Sequence, residues 1–474
     1  MTTVSKSYFK EQNPFLMQNA GVYEMEVMNW AKNWTDRVPY TLVRGLIFQD
    51  GVRLTQLAAY EDIVKLRGSY WVDTIKNNEY AFRIHIHPFA DKDPNDQVME
   101  ITTRQSPFNP GVKGINYIRV RGFIIEQVGN GFQRTGKGAL STFGGSHWII
   151  EDNIIRGINS VAVEIAALTD EHAESDRNRE AFEKVSGRHI VRNNTIYDCG
   201  TGCIQGLLNI ENLVENNHLY NTGWQQAEFY WETAAIKLLL THNCLIRKNH
   251  IHDVEAADGI WLDFENINTR VTQNLIYNID CDKGGIFIEA SYRPVLVDHN
   301  LLWNCRMNSL YQHDCDSVLF VHNIVGKNSR GSAIMMSLNK GRRRPGGGFF
   351  TAKNNTVLYN LLVDNNRPFS YSDTINISDY NLISSSGGKD TFDWSDWRRK
   401  GFDKNTRIVN IKASFNPSDL VFTIKTNGTM PQVKKLSYIY EDLIGRKYDK
   451  GMVKAGGLIN DNETLQLANY FRIK

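Results

Sequence analysis

From about residue 147 the chain repeats one short arrangement of apolar and polar positions. Two or more β-branched or aliphatic residues are followed by a few polar ones, an asparagine, and two more aliphatics. The arrangement runs as Trp148-Ile-Ile-Glu-Asp-Asn153-Ile-Ile and returns around Asn194, Asn217, Asn249 and Asn274. Later copies centre on Asn300, Asn323 and Asn355, with a worn ninth at Asn381. Successive spacings are 41, 23, 32, 25, 26, 23, 32 and 26 residues. A base period in the low-to-middle twenties with occasional insertions predicts a solenoid whose coils each supply short strands. Helical repeats need longer runs with 3.6-residue periodicity, and leucine-rich repeats need regularly spaced leucines; neither is present. The fold class that follows is all-β, a right-handed parallel β-helix. The recurring asparagine suits a tight bend, where it tolerates left-handed geometry and its amide bonds from coil to coil.

Upstream the pattern changes. Leu46-Ile-Phe-Gln-Asp-Gly-Val-Arg-Leu54 predicts a hairpin turning at Asp50-Gly51. Tyr70-Trp-Val-Asp73 and Tyr80-Ala-Phe-Arg-Ile-His-Ile86 flank Asn77-Asn78 and predict a second. The chain therefore divides into a leader over 1–20, an antiparallel β-sandwich-like region over 21–110, the β-helix over 111–385, and a C-terminal extension over 386–474 packed on the solenoid. Thr391 to Lys400, closed by Gly401, predicts one short helix.

Charge narrows the partners. With 54 basic and 52 acidic side chains the formal charge is +2, which gives no reason to expect nucleic acid or an anionic membrane. No stretch approaches the roughly 18 apolar residues of a membrane span. The opening residues lack the apolar core of a secretory signal, so the expectation is a cytoplasmic protein as written, or a secreted or periplasmic one if a leader is removed. The six cysteines (Cys199, Cys203, Cys244, Cys281, Cys305 and Cys315) read as buried thiols, with no metal-type spacing. No cofactor is expected, although a structural calcium ion would be compatible with the fold.

The candidate chemistry emerges when coils are aligned by their asparagines. Gly259-Ile-Trp-Leu-Asp263 and Gly285-Ile-Phe-Ile-Glu289 match position by position, and each acid precedes its asparagine, Asn274 or Asn300, by 11 residues. Neighbouring strands lie about 4.7–4.9 Å apart. Retaining glycosidases hold two carboxyls roughly 5–5.5 Å apart and inverting ones about 6.5–9.5 Å. The register therefore points to a retaining pair. Like charges so close favour one carboxyl staying protonated. Trp261, Phe264 and Phe287 would desolvate the pair. Trp224, Tyr230, Trp231 and Trp261 offer ring faces for a sugar, and Glu232 and Lys237 offer hydroxyl partners; packing is an equal use for any of these aromatics. His313 and Asp314, one coil on, suit a structural or rim role. Arg342-Arg-Arg344 with Pro345-Gly-Gly-Gly348 reads as a solvated loop.

At these residues the chain resembles glycoside hydrolase family 120, β-xylosidases built on a right-handed β-helix with an outer β-sandwich. The likeness runs from Tyr117-Ile-Arg-Val-Arg-Gly-Phe123 through Ser146-His-Trp-Ile-Ile-Glu-Asp-Asn153. It is strongest over Ile246 to His250, Gly259 to Phe264, Thr269-Arg270, Phe287-Ile-Glu289 and Leu296 to Asn300. The resemblance implies Asp263 as nucleophile, Glu289 as general acid/base, Glu232 and Lys237 as a sugar-binding pair, and retaining release of xylose from short xylo-oligosaccharides. Family members carry additional leading coils. An exposed first coil needs a cap, and an oligomer contact is one way to provide it. After Glu289 the chain reads Ala290-Ser-Tyr-Arg-Pro294 where the family pattern is Asn-His-Gly-Pro, so Tyr292 and Arg293 reshape the adjoining subsite and leave the pentoside open. Two rivals stand beside this reading. A polysaccharide lyase would need a Lys or Arg base and a calcium cluster, for which Asp258 and Asp263 are the nearest acids. A non-catalytic carbohydrate-binding or assembly protein would use the Trp224–Trp231 segment.

Overall fold

A computed structural model describes residues 2–4, 45–57, 59–74, 82–130, 138–165, 187–226, 233–344, 346–385, 392–449 and 451–471. Three long parallel sheets of nine, ten and eleven strands wind around one interior. Strands enter them in rotation, so each coil contributes one strand to each sheet. In nine of the ten strands of the ten-stranded sheet an apolar residue points inward: Val120, Ile150, Val191, Val214, Ile246, Val271, Val297, Phe320 and Val357 are all fully buried. Ile236, Ile260, Ile286 and Leu310 from the nine-stranded sheet and Ile196, Leu219, Ile251 and Ile276 from the eleven-stranded one complete the layers. All six cysteines are buried and free, as their scattered spacing predicts. Among the described residues no helix is long and apolar enough to cross a membrane.

The asparagine ladder is continuous over nine rungs: Asn153, Asn194, Asn217, Asn249, Asn274, Asn300, Asn323, Asn360 and Asn381. This corrects two expectations. Asn360, not Asn355, continues the main ladder after Asn323, while Asn355 starts a second short ladder to Asn376. The sequence Asn354-Asn-Thr-Val-Leu-Tyr-Asn360 carries an asparagine at either end of one strand, and only pairing distinguishes them. Nor do the ladder asparagines take the left-handed conformation. The residue before each one does, whatever its type: Asp152, Lys248, Gln273, His299 and Tyr359 have φ of 56°, 55°, 57°, 52° and 61°. The asparagine is selected for its amide. Its side chain accepts from the previous rung and donates to the next, consuming backbone groups that the bend would otherwise orphan.

The Asp50-Gly51 hairpin forms with both turn residues at positive φ, 51° and 77°, as a right-handed twist requires. Ser69–Thr74 and Phe82–His87 pair antiparallel as expected, and the turn joining them lies outside the described residues. Two small sheets result, of four and three strands, packed on Ile47, Leu54, Tyr70 and Ile84. Arg53 reaches Asp198 on the eleven-stranded sheet at 3.1 Å, and Phe48 lies against Gly157 there. Farther along the same sheet, an antiparallel trio (Ile411–Asn416, Val421–Thr426 and Glu463–Gln466) buries Phe415, Phe422 and Leu465 against Tyr277, Leu301, Trp303 and Leu361. The predicted short helix is Trp394–Arg399, capped by Asp393; Trp397 stacks on Phe369 and closes the last coil of the core.

Asp298 ties this framework together. It is fully buried, accepts two bonds from Arg270 (2.8 and 2.7 Å) and one from Thr272, and lies 2.8 Å from His299, whose far nitrogen meets Tyr448. Burial works against its charge, but Arg270 and then His299 outweigh it and hold the carboxyl at about 2. A carboxyl depressed on folding contributes stability that is complete above its unfolded value near 3.9 and is lost as pH falls toward the folded value. A shift of about two units corresponds to roughly 2.5 kcal/mol. Asp298→Asn should therefore cost about 2–3 kcal/mol in urea unfolding at pH 7, with most of the gap to wild type closing between pH 5 and pH 2. An equal gap at both ends would show that packing, not charge, sets the effect.

Candidate active site on the nine-stranded sheet

Asp258–Asp263 and Gly284–Glu289 are parallel neighbours, with Trp261 opposite Phe287 and Leu262 opposite Ile288. Inward Ile260, Leu262, Ile286 and Ile288 force the odd-numbered positions out. Asp263 and Glu289 are thus adjacent on the outer face, each the last residue of its strand. Directly after them the chain turns through left-handed residues, Phe264 (φ 59°) and Ala290 (φ 44°), as it does at Leu240 and Asp314 on the flanking coils. The shared glycines earn their place by close approach. A Cβ on Gly259 would sit 2.4 Å from the Gly285 carbonyl oxygen, and one on Gly285 would sit 2.8 Å from the Cys305 sulfur.

The outward column through the acids reads Leu239, Asp263, Glu289, His313 and Ser337; the one beside it reads Lys237, Trp261, Phe287, Tyr311 and Met335. The pair is bounded by leucines on one side and an imidazole on the other. Both carboxylates are largely buried, with side chains 10% and 14% exposed. Each carries its own cation. Lys237 lies 3.2 Å from Asp263, and Arg342 donates to Glu289 at 2.6 Å and to buried Asp314 at 3.2 Å. Two cations flank the pair and offset the repulsion anticipated from register. Burial works against the Arg342 charge, but Glu289, Asp263 and Asp314 outweigh it and raise the guanidinium above its ordinary range. His313, 3.9 Å from Glu289, is lowered chiefly by burial, with Asp314 opposing and Arg342 and Lys283 assisting.

The predicted residues separate into three groups. Asp263, Glu289, Lys237 and Trp261 come together. Trp261 is buried, 1% exposed, with Lys237 3.4 Å and Lys283 3.9 Å from its ring centre, so it serves as a platform for ammonium groups and has no open face for a sugar. Trp224 lies before the opposite end of these strands, where Arg53 stacks on it at 3.7 Å, and joins the N-terminal sheets to the solenoid. Trp231 and Glu232, with Tyr230, lie outside the described residues. Tyr292 turns back to Glu265, its hydroxyl 3.0 Å from the carboxylate.

Two residues escaped the sequence reading. Lys283 enters the coil of Glu289 and had no counterpart to draw attention to it. Arg342 had been placed in a solvated loop; instead it folds back over the site, and Arg344 bonds Asp316 at 2.7 Å. The available signal was the 37-residue step between Asn323 and Asn360, which marks an insertion, but reading Asn355 as the rung concealed it. Asp258 and Asp263 stand at opposite ends of one strand, and Asp258 accepts from the Gly284 amide at 2.8 Å. Five residues of strand span about 16 Å, so these two acids cannot share one calcium ion.

Fold and site together define a right-handed parallel β-helix protein with a cation-flanked carboxylate pair on one outer face. The family model for the right handed beta helix region matches residues 108–325 and 225–389, and the chain belongs to that family. Among solved structures, the complex of XylC with xylose is similar over 98% of this chain and 85% of that one, at 20% identity and a TM-score of 0.71. More distant are the A-module of the mannuronan C-5 epimerase AlgE6 of Azotobacter vinelandii (10% identity, 64% and 85% covered, TM-score 0.38) and the GH136 lacto-N-biosidase of Eubacterium ramulus (12% identity, 64% and 43% covered, TM-score 0.31). A comparison with the curated proteins gives no match.

Proposed function

We propose that the protein is a retaining, exo-acting β-xylosidase on short xylo-oligosaccharides, with Asp263 as nucleophile and Glu289 as general acid/base. The observation that carries this reading is the adjacency of two outward, largely buried carboxylates at the ends of neighbouring parallel strands. That spacing suits a covalent glycosyl intermediate better than an inverting water. Lys237, 3.2 Å away, orients the Asp263 carboxylate for attack on an anomeric carbon. Glu289 protonates the leaving oxygen and then deprotonates the incoming water. The full-length similarity to a protein solved with xylose supports the choice of sugar.

The test is a panel of aryl glycosides with the product followed by proton NMR. The β-xyloside should be the best substrate, and the first-formed xylose should be the β-anomer. First-formed α-xylose would overturn retention. An unsaturated product absorbing in the ultraviolet would point to a lyase, and binding without turnover of any glycoside to a carbohydrate-binding protein.

Arg342 makes a separate prediction. A cation on Glu289 favours its ionised form, whereas the first step needs the acid. Arg342→Gln should move the alkaline limb of the kcat/KM profile to higher pH. An unmoved limb would mean that Arg342 leaves Glu289 when substrate binds.

A further inference from the structure

On a different face, the outside of the eleven-stranded sheet, three histidines converge. His218 and His250 are paired across His218–Thr222 and His250–Glu255, and His252 stands two residues on, opposite Tyr220. The His218 and His250 rings stack 4.5 Å apart. His252 belongs to a flat outer stack with Tyr220 and Tyr277, at 5.1 and 4.9 Å. One nitrogen from each histidine lies within 4.8 Å of the other two.

Hydrogen bonds within the described residues reach four of the trio's ring nitrogens. Three rings present six nitrogens. His252 Nδ1 faces the Asp253 carboxylate at 2.8 Å, and His250 Nε2 faces the Tyr277 hydroxyl at 3.1 Å. His218 Nε2 and His252 Nε2 face each other at 2.8 Å. The Nδ1 atoms of buried His218 and His250 have no hydrogen-bond partner among the described residues. In a neutral His252 ring, an Nδ1–H donated to Asp253 leaves Nε2 as a lone pair. A carboxylate behind an imidazole is the usual second support of a metal-binding histidine.

We propose that His218, His250 and His252 bind one divalent transition-metal ion, of which zinc fits the ligands best, with solvent in the remaining position. Three imidazoles suit Zn²⁺, Cu²⁺ or Ni²⁺ and not the oxygen-seeking Mg²⁺ or Ca²⁺. Ligation at about 2.0–2.1 Å sets neighbouring nitrogens roughly 3.3 Å apart. The closest pair must open slightly and the widest must close, by rotation of the rings. The His252 side chain keeps 14% of its surface exposed, the opening through which an ion would enter. The ion would staple two successive coils of the solenoid.

The experiment uses untagged, full-length protein stripped with chelator. Co²⁺ is titrated by visible absorption and Zn²⁺ by calorimetry, in wild type, His252→Ala and Asp253→Asn. One equivalent should bind at micromolar Kd or tighter. Affinity should fall at least about tenfold in His252→Ala and by about tenfold or more in Asp253→Asn. Zn²⁺ should raise the Tm of wild type and not of His252→Ala. Both substituted side chains are at least partly exposed, and circular dichroism verifies that the variants fold. Absence of saturable binding by folded wild type, or unchanged stoichiometry and affinity in His252→Ala, overturns the proposal. The readout is independent of glycoside turnover, so failure here leaves the carboxylate-pair reading untouched.

Discussion

Asp263→Asn is expected to reduce turnover of every glycoside by about a thousandfold or more while the protein keeps its fold. A neutral amide cannot form the glycosyl ester, and loss of a covalent nucleophile is among the costliest single changes an enzyme can suffer. The ion pair with Lys237 is lost with the charge, so both kcat and kcat/KM should fall. Glu289→Gln should behave differently, and the contrast is the sharper test. Without a proton donor, xylobiose and other poor leaving groups should lose about three orders of magnitude. Dinitrophenyl xyloside, whose leaving group needs no proton, should still form the intermediate and stall at hydrolysis as a burst. Azide, a nucleophile that needs no base, should restore turnover of Glu289→Gln and yield the β-xylosyl azide. Equal losses for all leaving groups, with no azide product, would remove Glu289 from the acid/base role even if Asp263 proves essential.

The largest expected loss of stability comes from the ladder. Asn274→Ala should cost about 3–5 kcal/mol in chemical denaturation, from several unmade buried bonds at about 1–3 kcal/mol each. Its side-chain oxygen accepts from the backbone and side-chain nitrogens of Asn249, both at 3.0 Å. Its side-chain nitrogen donates to Asn300 at 2.9 Å and to the Ile246 carbonyl at 3.1 Å. Alanine removes all four bonds and leaves the buried Asn249 backbone N–H without its acceptor. Asn268→Ala is the matching control: Asn268 is exposed and donates to Asn243 at 2.7 Å, and because its backbone is left-handed (φ 46°) the change should cost about 1 kcal/mol. Similar losses for the two would mean that general amide content, not the buried ladder, supports the coil.

The amino-acid pattern alone was sufficient for the solenoid, for the hairpin at Asp50-Gly51, for the buried thiols and for the adjacency of Asp263 and Glu289. The physical reason is that a β-helix is nearly one-dimensional. Each coil packs only on its neighbours, so residues at equal distances from a repeated landmark become spatial neighbours. Where the landmark was duplicated, at Asn355 and Asn360, the reading slipped by five residues, because only strand pairing shows which asparagine stays in line. Tertiary structure decided everything that leaves the coil. Arg342, Trp224 and the His218–His250–His252 trio depend on how an insertion folds back, on what the N-terminal sheets cover, and on which outward side chains meet. Such contacts join residues whose separation follows no period, and their energies come from burial and from charges that local pattern does not carry.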